Sequence, residues 1–255
     1  MQEACNRSGN HKEIIMRTKG TIVGIVMACL ALVAGVFAAA ARLFGWVGFA
    51  VCSVITALKI AFYVRFVRPW HRRWGATDEE VARAMPGDDV IPEAHSTTRA
   101  ISVDCQPEEL WRWLVQIGYG RAGWYSYDWI DNDGKPSLDH IDATLQDLKV
   151  GDRIDMLPGF GPTVREVVPN HHFVAGDVEA GTWCLAIYPA ADGSRLVSRW
   201  RQNWTAGGLG AKFFILIADP GAFLMEQKML RTLRDRARRI DTTESRIGAS
   251  PKEVA

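Results

Sequence analysis

Two apolar runs near the N-terminus limit what this chain can fold into. Thr21 to Ala41 is 21 residues without a charge, and Leu43 to Val64 is 22 with Lys59 the only one; Arg42 alone stands between them. An α-helix rises about 1.5 Å per residue, so each run makes a helix of about 31–33 Å, enough to cross a hydrocarbon core of about 30 Å. A cleaved signal peptide has an apolar core of only about 7–15 residues. A soluble core helix seldom stays apolar on every face over such a length. The runs predict a transmembrane helical hairpin over residues 20–67, with its turn between Ala38 and Gly48, centred on Arg42 and Gly45.

Basic residues orient it. Arg7, Lys12, Arg17 and Lys19 precede the first run, and Arg65, Arg68, Arg72 and Arg73 follow the second. Basic flanks stay in the cytoplasm. The expectation is a multi-pass protein of the cytoplasmic membrane, with both ends and the soluble domain on the cytoplasmic side. Lys59 lies about 9 Å along the helix from Arg65 and can snorkel to that face. Trp46 and Trp70 fall near the two interfaces, where indoles collect.

Of the 255 residues, about 185 remain once the anchor and its flanks are set aside. That is one ordinary domain with room for a core. The formal net charge of +1 gives no support for nucleic-acid binding. Cys5, Cys29, Cys52, Cys105 and Cys184 are scattered and no CxxC occurs, so neither a zinc site nor a disulfide framework is implied. The triplets Asn6-Arg7-Ser8 and Asn203-Trp204-Thr205 fit the glycosylation pattern, but cytoplasmic placement leaves them unused.

Taken in order, residues 1–19 form a polar, disordered tail. Residues 68–95 hold a short helix and a linker. The helix starts at the capping box Thr77-Asp78-Glu79-Glu80 and ends at Pro86-Gly87. A domain follows over residues 96–240. A strand over 96–105 leads to a helix opened by Pro107, with Leu110, Trp113, Leu114 and Ile117 on one face. A short helix is expected within 138–149. Strands are expected at 152–157, 162–168, 172–178, 182–189 and 195–204. Asp192-Gly193 marks a hairpin and Pro169-Asn170 another turn. Asp219-Pro220 predicts the start of a long amphipathic helix carrying Phe223, Leu230, Leu233, Ala237 and Ile240 on one stripe. Residues 241–255 make a polar tail. Helices flanking an antiparallel run give an α+β fold.

Four stretches resemble a known family. RPWHRRWGATDEEVARAMPGDD (68–89), VQIGYGRAGWYSYDW (115–129), LQDLKVGD (145–152) and MEQKMLR (225–231) are similar, in this order, to motifs of membrane-anchored members of the START-like, or SRPBCC, superfamily, often labelled polyketide cyclase/dehydrase-like. The resemblance spans residues 68–240. It implies a helix-grip fold: a curved antiparallel sheet wrapped on a long C-terminal helix, with an apolar cavity between them. Members range from lipid carriers to cyclases, so it implies a pocket rather than one reaction.

Candidate ligand contacts are aromatic. Trp124, Tyr125, Tyr127, Asp128 and Trp129 form a stretch able to wall a pocket mouth, with one carboxylate and two phenols to orient a ligand. The competing role is structural: rings that plug the end of the sheet, and Asp128 capping the next turn. On the 195–204 strand, alternation puts Leu196, Ser198, Trp200 and Gln202 on the cavity face, and Val197, Arg199, Arg201 and Asn203 on the other, where the arginines are expected to be solvated. Trp183 and Trp200 join the candidate lining. No metal is implied: Asp128, Asp131 and Asp133 resemble a calcium loop, but Lys135 falls at its fifth position. Nothing implies a cofactor.

Two functions from different classes fit. One is a membrane-tethered binding module for an apolar small molecule or lipid. The other is a cyclase- or dehydratase-type enzyme using the same cavity, for which Asp128 with Tyr125 or Tyr127 is the only local acid/base pair. A third possibility is a structural membrane protein whose cavity is filled by its own side chains. An empty apolar cavity favours binding, and a polar one with a shifted carboxylate favours catalysis.

Overall fold

The computed structural model describes residues 2–92, 94–179, 181–202 and 208–248. The chain forms two compact units, Met1–Trp70 and His71–Ala255.

In the first unit, α1 (Gln2–Phe62) continues as a π-helical turn over Tyr63–Val67. It takes in residues 2–19, so the expected disordered tail is helical. Extending a helix already nucleated by a long apolar run costs little per added residue. One helix among the described residues, Met27–Arg72, is long and apolar enough to cross a membrane, and its most apolar window is not buried at all. The helix is not continuous. Gly45 has φ 61° and ψ −148°, outside the helical region. Past it, Gly48 lies so close to the Ala40 backbone that a Cβ there would strike the Ala40 carbonyl, and the Phe37 and Phe49 rings meet edge to face at 5.5 Å. In an unbroken helix, eight residues span about 12 Å and twelve about 18 Å.

The second unit is α+β. Its sheet is curved, five-stranded and antiparallel throughout: β1 (His95–Val103), β2 (Val164–Val168), β3 (His172–Asp177), β4 (Gly181–Ala190) and β5 (Gly193–Gln202), in the spatial order β1-β5-β4-β3-β2. After the short α2 (Arg68–Arg72) and α3 (Asp78–Ala82), the helix α4 (Pro107–Leu114) carries the chain from β1 towards β2 on the opposite edge, past a single turn, α5 (Asp128–Asp131). The long α6 (Gly208–Gly248) follows β5 and packs on β1 and α4. The capping box forms: Thr77 Oγ1 accepts from the Glu80 amide, and Glu80 Oε2 accepts from the Thr77 amide.

Alternation gives the sheet two differently furnished faces. Trp183, Leu185, Ile187, Leu196 and Phe173 point to the main core, with Leu110 and Trp113 of α4 and Leu230, Leu233 and Ala237 of α6. Val174, Cys184, Ala186, Val197 and Ala100 form a second buried cluster on the outer face, closed by Met85. Burial on both faces explains why β4 is buried at seven consecutive positions.

Several expectations need correction. No strand forms at 152–157: only isolated bridges, Arg153 to Thr163 and Leu157 to Phe160, occur there. Pro158 and Pro162 have no amide proton to give to a ladder. Residues 138–149 hold only a 3-10 turn, Ala143–Leu145, capped by Asp142. Asp219-Pro220 does not start α6, which runs from Gly208 with Pro220 inside it. The β4–β5 hairpin turns at Ala191-Asp192, and Gly193 opens β5 opposite Ala190.

The arginines of β5 are not solvated. Arg199 is 3% exposed and donates to Thr98 Oγ1, to the carbonyls of Glu80, Val81 and Arg83, and to Asp88 Oδ2. Arg201 donates to the carbonyls of Ile91 and Pro92. Arg195 pairs with Glu80 at 2.6 Å and reaches the Gly75 carbonyl. A planar guanidinium can hold several acceptors at once, which is what makes its burial tolerable. Together the three bind the 75–92 segment to the outer face of the sheet.

Candidate functional site

Between the inner face of the sheet and α6 lies a cavity of about 250 Å³. Its wall is mainly apolar. Trp124 comes from the loop after α4, Trp183 from β4 and Trp200 from β5. Trp183 and Trp200 are cross-strand partners and stack at 4.9 Å with 10° between their planes, while Trp124 leans on Trp183 at 5.6 Å. Met225 and Met229 of α6 and Met156 of the long loop complete the apolar lining.

Polar groups enter at two places. On one side, Arg99 of β1 faces inward opposite Ser198 and forms a buried ion pair with Glu226 of α6. Arg99 Nε donates to the His71 carbonyl at 2.9 Å. Ser198 Oγ donates to Glu226 Oε1 at 2.5 Å and accepts from Trp183 Nε1 at 3.0 Å. Glu226 thus has both carboxylate oxygens engaged. Arg99 Nη2 is buried with no acceptor.

On the other side stands Asp131, at the end of α5, 6% exposed, with neither carboxylate oxygen accepting a hydrogen bond of ordinary geometry. Burial, reinforced by the nearby Asp128 charge, pushes its pKa up to about 6. Ser126 pulls the other way, but its hydroxyl proton is given to the Met225 carbonyl at 3.0 Å. No cluster of three or more His, Cys, Asp or Glu able to hold a metal occurs among the described residues.

Of the seven residues expected to contact a ligand, Trp124, Trp183 and Trp200 line the cavity and the other four do not. Tyr125 adopts φ 55°, an uncommon conformation for a bulky residue. Its ring packs edge to face on Trp113, and its hydroxyl accepts from Gln116 Nε2 at 2.7 Å. Burial pushes its pKa up to about 12, so it stays protonated at neutral pH. Tyr127 is half-buried with the Lys228 ammonium 4.2 Å from its ring centre. Asp128 accepts from the Ser137 amide at 3.1 Å and from its hydroxyl, so it ties the 128–137 loop together rather than capping the turn it begins. Trp129 is mostly exposed. The acid/base pair of Asp128 with Tyr125 or Tyr127 is therefore not assembled in the cavity. Arg99, Asp131 and Glu226, which are in it, were not anticipated.

No family model matches the chain, and no curated protein matches it. Solved structures show a distant likeness. Protein MLL2253 from Mesorhizobium loti is 16% identical, with 57% of this chain and 98% of that one covered at TM-score 0.32. The Polyketide_cyc-like protein Cgl2372 from Corynebacterium glutamicum is 15% identical, with 63% and 100% covered at TM-score 0.31. Protein NE0264 from Nitrosomonas europaea is 13% identical, with 58% and 96% covered at TM-score 0.36. At values this low the likeness carries no argument about ligand or reaction.

Proposed function

We propose that the His71–Ala255 unit is a binding module for a small apolar molecule, and that the N-terminal helices tether it to the cytoplasmic membrane. The cavity carries the first part. Its indole and thioether walls match what apolar ligands need, and its polar groups are few and fixed. At about 25 cal/mol per Å², burying roughly 200 Å² of apolar ligand contributes about 5 kcal/mol. The volume of about 250 Å³ lies under the roughly 300–1,000 Å³ of sites for drug-sized ligands. This favours a small molecule, or one end of a longer chain, over a whole membrane lipid. The order of elements, with a long C-terminal helix against the sheet, is that of the helix-grip, and so supports the reading.

Support for the tether comes from the exposed apolar surface of Met27–Arg72 and from the kink at Gly45, which divides it into two lengths compatible with a hairpin. Tight contact at small residues such as Ala40 and Gly48 is how helices associate within a bilayer.

The test is intrinsic tryptophan fluorescence of the full chain in detergent micelles, titrated with fatty acids, isoprenoids and small aromatics. Trp183 and Trp200 report from the wall. A saturable change that weakens in Trp200→Ala is expected. No saturable change with any class would overturn the binding reading and leave a structural protein. A second reading has one observation in its favour, the Asp131 carboxyl with its pKa near neutrality in an apolar cavity. It is an enzyme of cyclase or dehydratase type, and it would be established by turnover of a bound ligand that stops in Asp131→Asn.

A further inference from the structure

The cavity's electrical balance is uneven, and the imbalance has a location. Among the described residues on the wall, Arg99 is the one basic side chain, against the carboxylates of Asp131, Glu226 and Asp219, the last of which has a partner of its own. The charge of Arg99 is already matched by Glu226 at hydrogen-bond range, and Ser198 completes that pair. Asp131 has no such match. An isolated carboxylate taken out of water is penalised, and it relieves this by binding a proton or a cation. Burial and the nearby Asp128 push its pKa up to about 6, the direction in which such a penalty acts.

We propose that, resting on the binding reading above, the cavity's ligand is an organic cation: a small apolar body bearing an ammonium group that pairs with Asp131. Three features of the wall agree with this. The neighbouring surfaces are indoles and thioethers, and indole is the aromatic ring that attracts cations most strongly. The acceptor atoms are two oxygens of one buried carboxylate, suited to a group with several N–H donors. A ligand carboxylate could meet Arg99 Nη2, but only in a space that also holds Asp131 and Glu226. A neutral alcohol could donate to Asp131 but would leave its charge uncompensated, as an ordered water would.

Three probes of nearly one shape separate these cases: phenethylamine, phenethyl alcohol and phenylacetate. Each is titrated against the full chain in micelles by tryptophan fluorescence at about pH 7.5, where Asp131 is ionised and the amine is charged. The amine should bind at least about tenfold more tightly than the alcohol, a difference of about 1.4 kcal/mol, and the acid least well. Asp131→Asn, with its fold checked by its thermal melt, should bring the amine down to the alcohol's affinity. If that variant does not fold, the ranking of the three probes on the unaltered protein decides alone. Equal binding of amine and alcohol, or strongest binding of the acid, would overturn the inference and leave the binding module standing. Failure of all three, together with failure of the wider ligand set, would overturn both.

Discussion

Asp131 makes folding depend on pH in an unusual direction for a carboxylate. Its pKa rises from 3.8 to about 6 on folding. Below about pH 4 it is protonated in both states and neutral to stability. Between about pH 4 and 6 the unfolded chain loses the proton and the folded one keeps it, so stability falls as pH rises, and the loss is complete above about 6. Two pKa units correspond to about 3 kcal/mol. Asp131→Asn should therefore raise the urea midpoint at about pH 7.5 and leave it nearly unchanged at about pH 4; no gain at about pH 7.5 would show that the carboxyl is solvated. Glu226→Gln should do the opposite, costing about 3–5 kcal/mol because Arg99 is left buried without its counter-ion. Replacing both, as Arg99→Met with Glu226→Leu, should recover most of the loss, and denaturant titration reads all three variants. How far these residues could be seen in advance differs among them. Glu226 falls three after Phe223 and four before Leu230, on the stripe that α6 buries, and a charge on such a stripe is a signal. Arg99 shares its face of β1 with Thr97 and Ile101, which is a similar one. Asp131 gives none, because its burial comes from how the loop after α4 folds over the cavity.

At the level of single elements, the stripe on α6 decides whether the helix closes the core. Leu230 is fully buried and Leu224, on the same helix, is half-exposed. Leu230→Ala should cost about 2–5 kcal/mol, and Leu224→Ala less than about 0.5 kcal/mol. Equal effects in a thermal or denaturant melt would remove α6 from the core. At the β4–β5 hairpin, Gly193 has φ 126°, and a Cβ there would come within 2.8 Å of the Cys105 amide nitrogen. Gly193→Ala should therefore lower the melting temperature, while Asp192→Ala in the exposed turn should not. Periodicity located β1, β3, β4, β5 and the second half of α6 within a few residues. It failed where helix-start chemistry was overridden by neighbours. Asp219-Pro220 has every mark of a helix start, yet α6 passes through it. Alternation also suggested that Arg199 was solvated, since it cannot report what covers the second face of a sheet.

For the molecule as a whole, the proposed membrane hairpin makes a topological prediction. Reporter fusions at residue 45 and at the C-terminus should lie on opposite sides of the membrane; the same side for both would leave a single span. The split of the chain at Trp70/His71 lies near the end of the two apolar runs, which seldom stay apolar on every face in a soluble core. The cavity's aromatic lining was half legible: Trp200 followed from alternation along its strand, and Trp183 was named on the neighbouring one. Which of the clustered aromatics beside Trp124 would face inward depended on the backbone at Tyr125, and no pattern reports that.

The three arginines on the back of the sheet have a further consequence. The 80–91 stretch has the composition of a connector, with Pro86, Gly87 and charged residues, and Arg83 within it is an exposed tryptic target. A protease must draw backbone into its cleft before it cuts. Here the carbonyls of Glu80, Val81, Arg83 and Ile91 are held by Arg199 and Arg201. Cleavage after Arg83 is then limited by how often the sheet itself opens, not by how exposed the bond is. A site that composition marks as easy to nick becomes a gauge of the domain's stability, and Arg199→Ala turns it back into an ordinary loop.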